Sequence, residues 1–138
     1  MKTIKLAIAE DHLRFRETLS NYLSSFESFE VVIEAENGQE LLDKLIGNSV
    51  DIVILDIRMP VLNGTETLKL LKVQFPAIKV IMFSSITDQP VLIELSRLGA
   101  NSFVCKYEDI SILINAIKEV KENDYSFNKH FTSDFFSV

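Results

Sequence analysis

The chain has 138 residues, 47% hydrophobic and 25% charged, with a net charge of −6 and one cysteine, Cys105. That is the size and balance of one globular domain with its own core. It argues against nucleic-acid binding by bulk charge, an internal disulfide or a bilayer span, since no apolar run nears ~20 residues.

The N-terminus, MKTIKLAIAED, carries an apolar run that acids end at once, too short for a secretion signal. The expectation is a soluble cytoplasmic domain with no membrane contact. Ile4–Ala9 then reads as a strand buried on both faces. Behind it Phe15, Leu19, Tyr22, Leu23 and Phe26 fall on one helix face. Val31–Ala35 is a second strand. Asn37-Gly38 breaks the chain, and Leu41, Leu42, Leu45 and Ile46 make a shorter helical stripe. Ile52–Leu55 is the third strand. Asn63-Gly64 opens a helix with Leu68, Leu71 and Phe75 on one face, and Pro76 closes it. Val80–Phe83 precedes a helix marked by Val91, Leu92, Leu95 and Leu98, with Gly99 as its C-cap. Ser102–Cys105 is the last strand, followed by the clearest stripe: Ile110, Leu113, Ile114, Ile117 and Val120. This alternation predicts an α/β fold, (βα)5: a parallel sheet with helices on both faces and right-handed crossovers.

Ligands of open α/β sheets sit outside the carboxyl ends of the strands. There the first strand delivers Glu10-Asp11, the third Asp56, the fourth Ser84 and Ser85, and the fifth Lys106. The second ends in Glu36 and Asn37 at a sheet edge. Acids brought together repel unless a cation compensates, and a hard divalent ion, best Mg²⁺, suits an all-oxygen set. His12 and His130 stand alone, so zinc is not indicated. A hydroxyl and a lysine beside the acids form a cradle for a phosphoryl group, with a carboxylate as nucleophile.

Each residue also has a plainer reading. Glu10 and Asp11 would serve as caps of the first helix. Ser84 and Ser85 would be loop residues, and Lys106 a solvated strand-end lysine. Asp56 resists such a reading, because an acid closing a buried strand needs a partner or a metal.

The acidic pair Glu10-Asp11, the segment LDIRMPVLNG (55–64), the strand end VIMFSS (80–85) and GANSFVCK (99–106) together resemble the receiver domain of bacterial two-component response regulators. The resemblance covers residues 1 to about 123. It implies a flavodoxin-like, doubly wound parallel sheet of order 2-1-3-4-5. It makes Asp56 the phosphoacceptor. Glu10, Asp11, Asp56 and the backbone carbonyl of Arg58 would hold Mg²⁺. Ser84 and Lys106 would bind the phosphoryl group, and Ser84 and Phe103 would form the switch, with Phe103 turning inward on activation. Arg58 and Ile86 would flank the path of hydrolytic water and set the phosphoryl lifetime. Pro60 and Gly64 would shape the loop after the acceptor. The partner implied is a sensor histidine kinase, and the domain would not be a turnover enzyme.

The chain departs from the pattern in three places. Glu10 stands where many members have Asp, Ser84 where Thr is commoner, and Tyr107 where many have a proline after a cis bond. The AEDH start (9–12) and the missing proline are similar to regulators with a LuxR-type C-terminal helix-turn-helix. DNA contact would then come only through such a domain, absent from this chain, with homodimerisation on phosphorylation as one form of output. Alternatives are a stand-alone or degenerate receiver acting as a protein-interaction module and a Mg²⁺-dependent phosphohydrolase with an aspartate nucleophile. The haloacid-dehalogenase type of hydrolase expects an acid two residues after the nucleophile, where this chain has Arg58. A flavin-binding module of this fold class would meet repulsion from Glu10-Asp11.

From about Asn123 the pattern stops. Residues 124–138 read as a linker or tail. Phe127, Phe131 and Phe135, spaced by four, offer the rival reading of an amphipathic segment that packs on the domain or on a second copy.

Overall fold

The structure, a computed structural model, describes residues 3–136. The expectations for Met1, Lys2 and the last two residues lie outside the described residues.

Five parallel strands form one sheet in the order β2-β1-β3-β4-β5. They are β1 (Ile4–Ala9), β2 (Phe29–Ala35), β3 (Ile52–Leu55), β4 (Lys79–Ser84) and β5 (Ser102–Cys105). The helices between and after them are α1 (Leu13–Ser24), α2 (Gly38–Leu45), α3 (Gly64–Gln74), α4 (Gln89–Arg97) and α5 (Ile110–Asn123). The expected fold and strand order are thus found. β2 and β4 are longer than their most apolar stretches, because Phe29, Glu30, Lys79 and Ser84 extend the ladders.

The continuous apolar runs follow from two cores, one on each face. Alternate residues of each strand go to opposite sides. Leu6, Ile8, Ile52, Ile54, Ile81, Phe83 and Val104 pack against Leu19 and Leu23 of α1 and the Leu113–Val120 face of α5. Ala7, Ala9, Val53, Leu55, Val80, Met82 and Phe103 pack against α2, α3 and α4.

The helix stripes hold in part: Phe26 lies beyond the end of α1, Tyr22 is 41% exposed, and Phe75 and Leu98 are the C-caps of α3 and α4. Leu41, Leu42 and Leu45 are buried, but α2 ends at Leu45, and Ile46 adopts extended backbone and is 73% exposed. Asn37 and Asn63 are N-caps, each accepting from the amide of a glutamate three residues on, Glu40 and Glu66. Gly99 follows α4 at φ 105°, a left-handed position that suits glycine. Among the described residues no helix is long and apolar enough to cross a membrane.

Residues 124–136 pack on the domain. Asp124 turns the chain at φ 72°, and the segment then runs along the open edge of β5. The Ser126 amide donates to the Asn101 carbonyl at 3.2 Å, and the Ser102 hydroxyl donates to the Ser126 carbonyl at 2.7 Å. The Asn128 side-chain amide donates to the Phe103 carbonyl at 2.8 Å. Covering a sheet edge in this way blocks pairing with another chain. Phe131 is fully buried, at 0% exposure, in the same core as Phe103, Leu92 and Leu95. Phe127, Phe131 and Phe135 do not share a helix; only Ser133–Phe136 forms a single 3₁₀ turn. Their spacing instead builds a ladder of rings, Phe127 stacked on Phe131 at 5.9 Å and Phe131 edge-on to Phe135 at 5.9 Å.

Candidate functional site

The sheet register sets the strand ends side by side. The Asp56 amide donates to the Ala9 carbonyl at 3.1 Å, and the Lys106 amide to the Ser84 carbonyl at 3.0 Å. The ladder therefore runs one residue past β3 and β5, placing Asp56 beside Glu10 and Lys106 beside Ser85.

Glu10, Asp11 and Asp56 each present a carboxylate oxygen, all within 4.8 Å of one another. Glu10 is 3% and Asp56 7% exposed, whereas Asp11 faces solvent. Lys106 Nζ donates to Asp56 Oδ2 at 3.0 Å and also to Glu10 Oε1. Burial alone would lower the Lys106 pKa, but the Glu10 hydrogen bond and the Asp56 and Glu10 charges hold it above its ordinary value. The Asp11 carboxyl is pushed up by partial burial, then by its hydrogen bond to Glu10 and the charge of Glu10. One lysine thus serves two acids, and the third has no ion pair of its own among the described residues. The donors are hard oxygens only, so the residues present fit Mg²⁺.

The plainer role of Glu10 and Asp11 as helix caps does not hold. His12 caps α1, its Nδ1 accepting from the Phe15 amide at 3.2 Å. Its own amide donates to Glu10 Oε2 at 3.0 Å and fixes that carboxylate. Asp56 Oδ1 accepts the Ile57 amide at 2.8 Å. Gly64 donates to the Ile57 carbonyl at 2.7 Å, and a side chain on Gly64 would collide with the Asp56 carbonyl. Only glycine lets α3 start so close to the acid. The acids open onto a cleft of about 580 Å³, lined also by Arg58, Ser85, Lys106 and Tyr107.

A family model for the response regulator receiver domain matches residues 6–118. The chain belongs to that family.

Its relatives agree. The chain is 35% identical over 117 residues to the transcriptional regulatory protein LnrK of Bacillus subtilis, covering 85% of this chain and 53% of LnrK. It is 34% identical over 116 residues to the chemotaxis protein CheY of Listeria monocytogenes, covering 84% of this chain and 97% of CheY. The response regulator domain of Thermotoga maritima CheB superposes with a TM-score of 0.82 at 30% identity, over 88% of this chain and 98% of that domain. The chain spans about half the length of the transcriptional regulators it matches, 53% of LnrK and 50% of Brevibacillus brevis DegU.

The receiver domain brings Glu10, Asp11, Asp56 and Lys106 into one cluster, as the strand-end argument expected. Arg58 is exposed on the cleft wall. Ser84 is buried, its hydroxyl accepting the Ile86 amide at 3.3 Å, and it is Ser85 that lines the cleft. Ile86 is half-buried against the core of α2, α3 and α4. Phe103 is fully buried and meets the His130 ring edge-on at 6.2 Å. The Lys106–Tyr107 bond is trans, and Tyr107 is 85% exposed.

Sequence reasoning missed two contributors. The Arg16 guanidinium donates to the Glu10 carbonyl at 2.6 Å and pairs with Glu34 at 3.6 Å, tying α1 to the ends of β1 and β2. The Lys106 ammonium lies 4.7 Å from the centre of the Phe15 ring, which steers it from one side. The available signal was placement: both residues lie in the first turn of the helix after the acidic pair.

Proposed function

We propose that this receiver domain accepts a phosphoryl group on Asp56 from the phosphohistidine of a sensor histidine kinase. One observation carries the proposal: a buried carboxylate, paired to a lysine at 3.0 Å, opens to a cleft within a cluster of three acids. A carboxylate oxygen of Asp56 attacks phosphorus. The bond from phosphorus to the imidazole nitrogen breaks, and its electron pair returns to the ring. Lys106 faces the phosphoryl oxygens and offsets their charge. Mg²⁺, held by Glu10, Asp11, Asp56 and the Arg58 carbonyl, supplies further positive charge when bound. The Ser84 hydroxyl turns from the Ile86 amide to a phosphoryl oxygen, and Phe103 is held in its buried position. Arg58 and Ile86 flank the approach of water and set the lifetime of the acyl phosphate.

The added charge, nearly −2 at neutral pH, is what biases the switch. Its output is control of transcription in the cytoplasm through a DNA-binding domain outside this chain, with dimerisation on phosphorylation. The names of LnrK and DegU, and the half-length match to them, support this. A second reading, a receiver acting by direct protein contact, is supported by the match across 97% of Listeria CheY. The hydrolase reading lacks its acid, because an exposed arginine stands two residues after Asp56.

Incubation with Mg²⁺ and acetyl phosphate, followed by intact-mass measurement, tests the proposal. One added phosphoryl group is expected on the native chain and none on Asp56→Asn. Continuous release of phosphate from simple esters would favour the hydrolase instead.

A further inference from the structure

The strand-end cluster explains Asp56 and its neighbours but not residues 124–136, which are fastened to β5 at two levels. Along the strand, Asn128 holds the Phe103 carbonyl at 2.8 Å, and His130 lies edge-on against the Phe103 ring at 6.2 Å. Beyond the strand, Lys129 and His130 both reach Glu108 at 3.0 Å. Phe103 and Glu108 stand three residues before and two residues after Lys106, the lysine paired with Asp56. A displacement of Lys106 is therefore felt at both fastenings. The seat is also apolar: Phe131 is fully buried in the same core cluster as Phe103.

We infer that residues 124–136 are a strap that belongs to the switch: docking of the strap on β5 and phosphorylation of Asp56 stabilise each other. The inference rests on the phosphoacceptor reading above. The physical link is the end of β5: the strap holds the Phe103 carbonyl and Glu108 on either side of Lys106, which is paired with Asp56. Coupling of this kind is reciprocal. A phosphoryl group at Asp56 tightens the strap, and a loosened strap weakens the site's hold on a phosphoryl group.

The test uses the whole chain. Amide hydrogen exchange across residues 125–132 is followed with Mg²⁺ alone and after treatment with acetyl phosphate, the adduct being verified by intact mass. Exchange is expected to slow by about fivefold or more in the adduct, the low end of measured allosteric couplings. In parallel, Asn128→Ala and Phe131→Ala should weaken binding of beryllofluoride, a phosphoryl mimic, by a similar factor. Asn128→Ala should leave far-ultraviolet circular dichroism and Mg²⁺ affinity unchanged, which separates coupling from general unfolding. Unchanged or faster exchange in a verified adduct, with Asn128→Ala binding beryllofluoride normally, overturns the strap while leaving the phosphoacceptor reading intact. Absence of any adduct removes both.

Discussion

The Lys106 ammonium donates to Asp56 at 3.0 Å and to Glu10 at the end of the neighbouring strand, so one cation bridges two buried acids. Asp11 beside them has no such partner among the described salt bridges, and its carboxyl is pushed upward.

Removal of that bridging charge strands two carboxylates. Lys106→Met should lower stability in Mg²⁺-free buffer. Breaking a fully buried pair costs about 3–5 kcal/mol, and here about 1–3 is expected, since the Lys106 side chain is 18% exposed at an open cleft. Added Mg²⁺ should then stabilise the variant more than the native chain. Urea titrations with and without Mg²⁺ measure both effects.

Asp11→Asn should act in the opposite sense. A carboxyl whose folded pKa lies above the unfolded value binds more protons when folded. Stability therefore falls as pH rises through that window. At neutral pH the charged Asp11 is a net cost, and Asn relieves it. The variant should be more stable without Mg²⁺ and bind Mg²⁺ at least about tenfold more weakly, one ligand being lost. Thermal melts in chelator, followed by a Mg²⁺ titration, separate the two outcomes.

Much of this was legible in the chain itself. Branched runs such as IVIL (52–55) signal strands buried on two faces, and Asp56 stands out because nothing apolar excuses it. Strand order then does the rest, since Glu10, Asp56 and Lys106 meet once β1, β3, β4 and β5 are neighbours. The strap was not legible from periodicity, because three phenylalanines four apart imitate a helix. A polar signal was present. Asn101 and Ser102 are buried; Asn101 Oδ1 accepts from the Val80 amide and from Lys72, but its side-chain NH₂ and the Ser102 hydroxyl still need acceptors. Asp124 and Ser126 supply them through carbonyls at 2.9 and 2.7 Å. Arg16 escaped notice for a related reason: its target is a backbone carbonyl, which carries no residue-type signature.

Phe131→Ala should cost about 3 kcal/mol or more, the range for emptying a fully packed aromatic site. A linker phenylalanine would cost almost nothing. Chemical denaturation of the two proteins decides between these, with Val73→Ala, an exposed site on α3, as a neutral control.

Lys72 gives a pH signature away from the acids. Burial first, and the nearby charge of Lys79 second, lower its pKa to about 8, while its ammonium donates to Asn101 at 2.8 Å. The folded chain thus gives up this proton near pH 8, whereas the unfolded chain keeps it up to the ordinary lysine value of 10.5. Between those values the unfolded state binds more protons, so this residue adds stability as pH rises. The native chain should gain on Lys72→Met between about pH 7 and about pH 9.5. Urea midpoints at both pH values test it, and parallel curves would contradict it.

The central claim is that Asp56 carries the phosphoryl group. Borohydride reduces an acyl phosphate to the corresponding alcohol and so converts a phosphorylated aspartate to homoserine. Treatment of the Mg²⁺–acetyl phosphate product, followed by peptide sequencing by mass spectrometry, should place homoserine at position 56 and nowhere else. Homoserine at another acid, or an unmodified position 56 in a protein that has gained a phosphoryl group, would contradict the account.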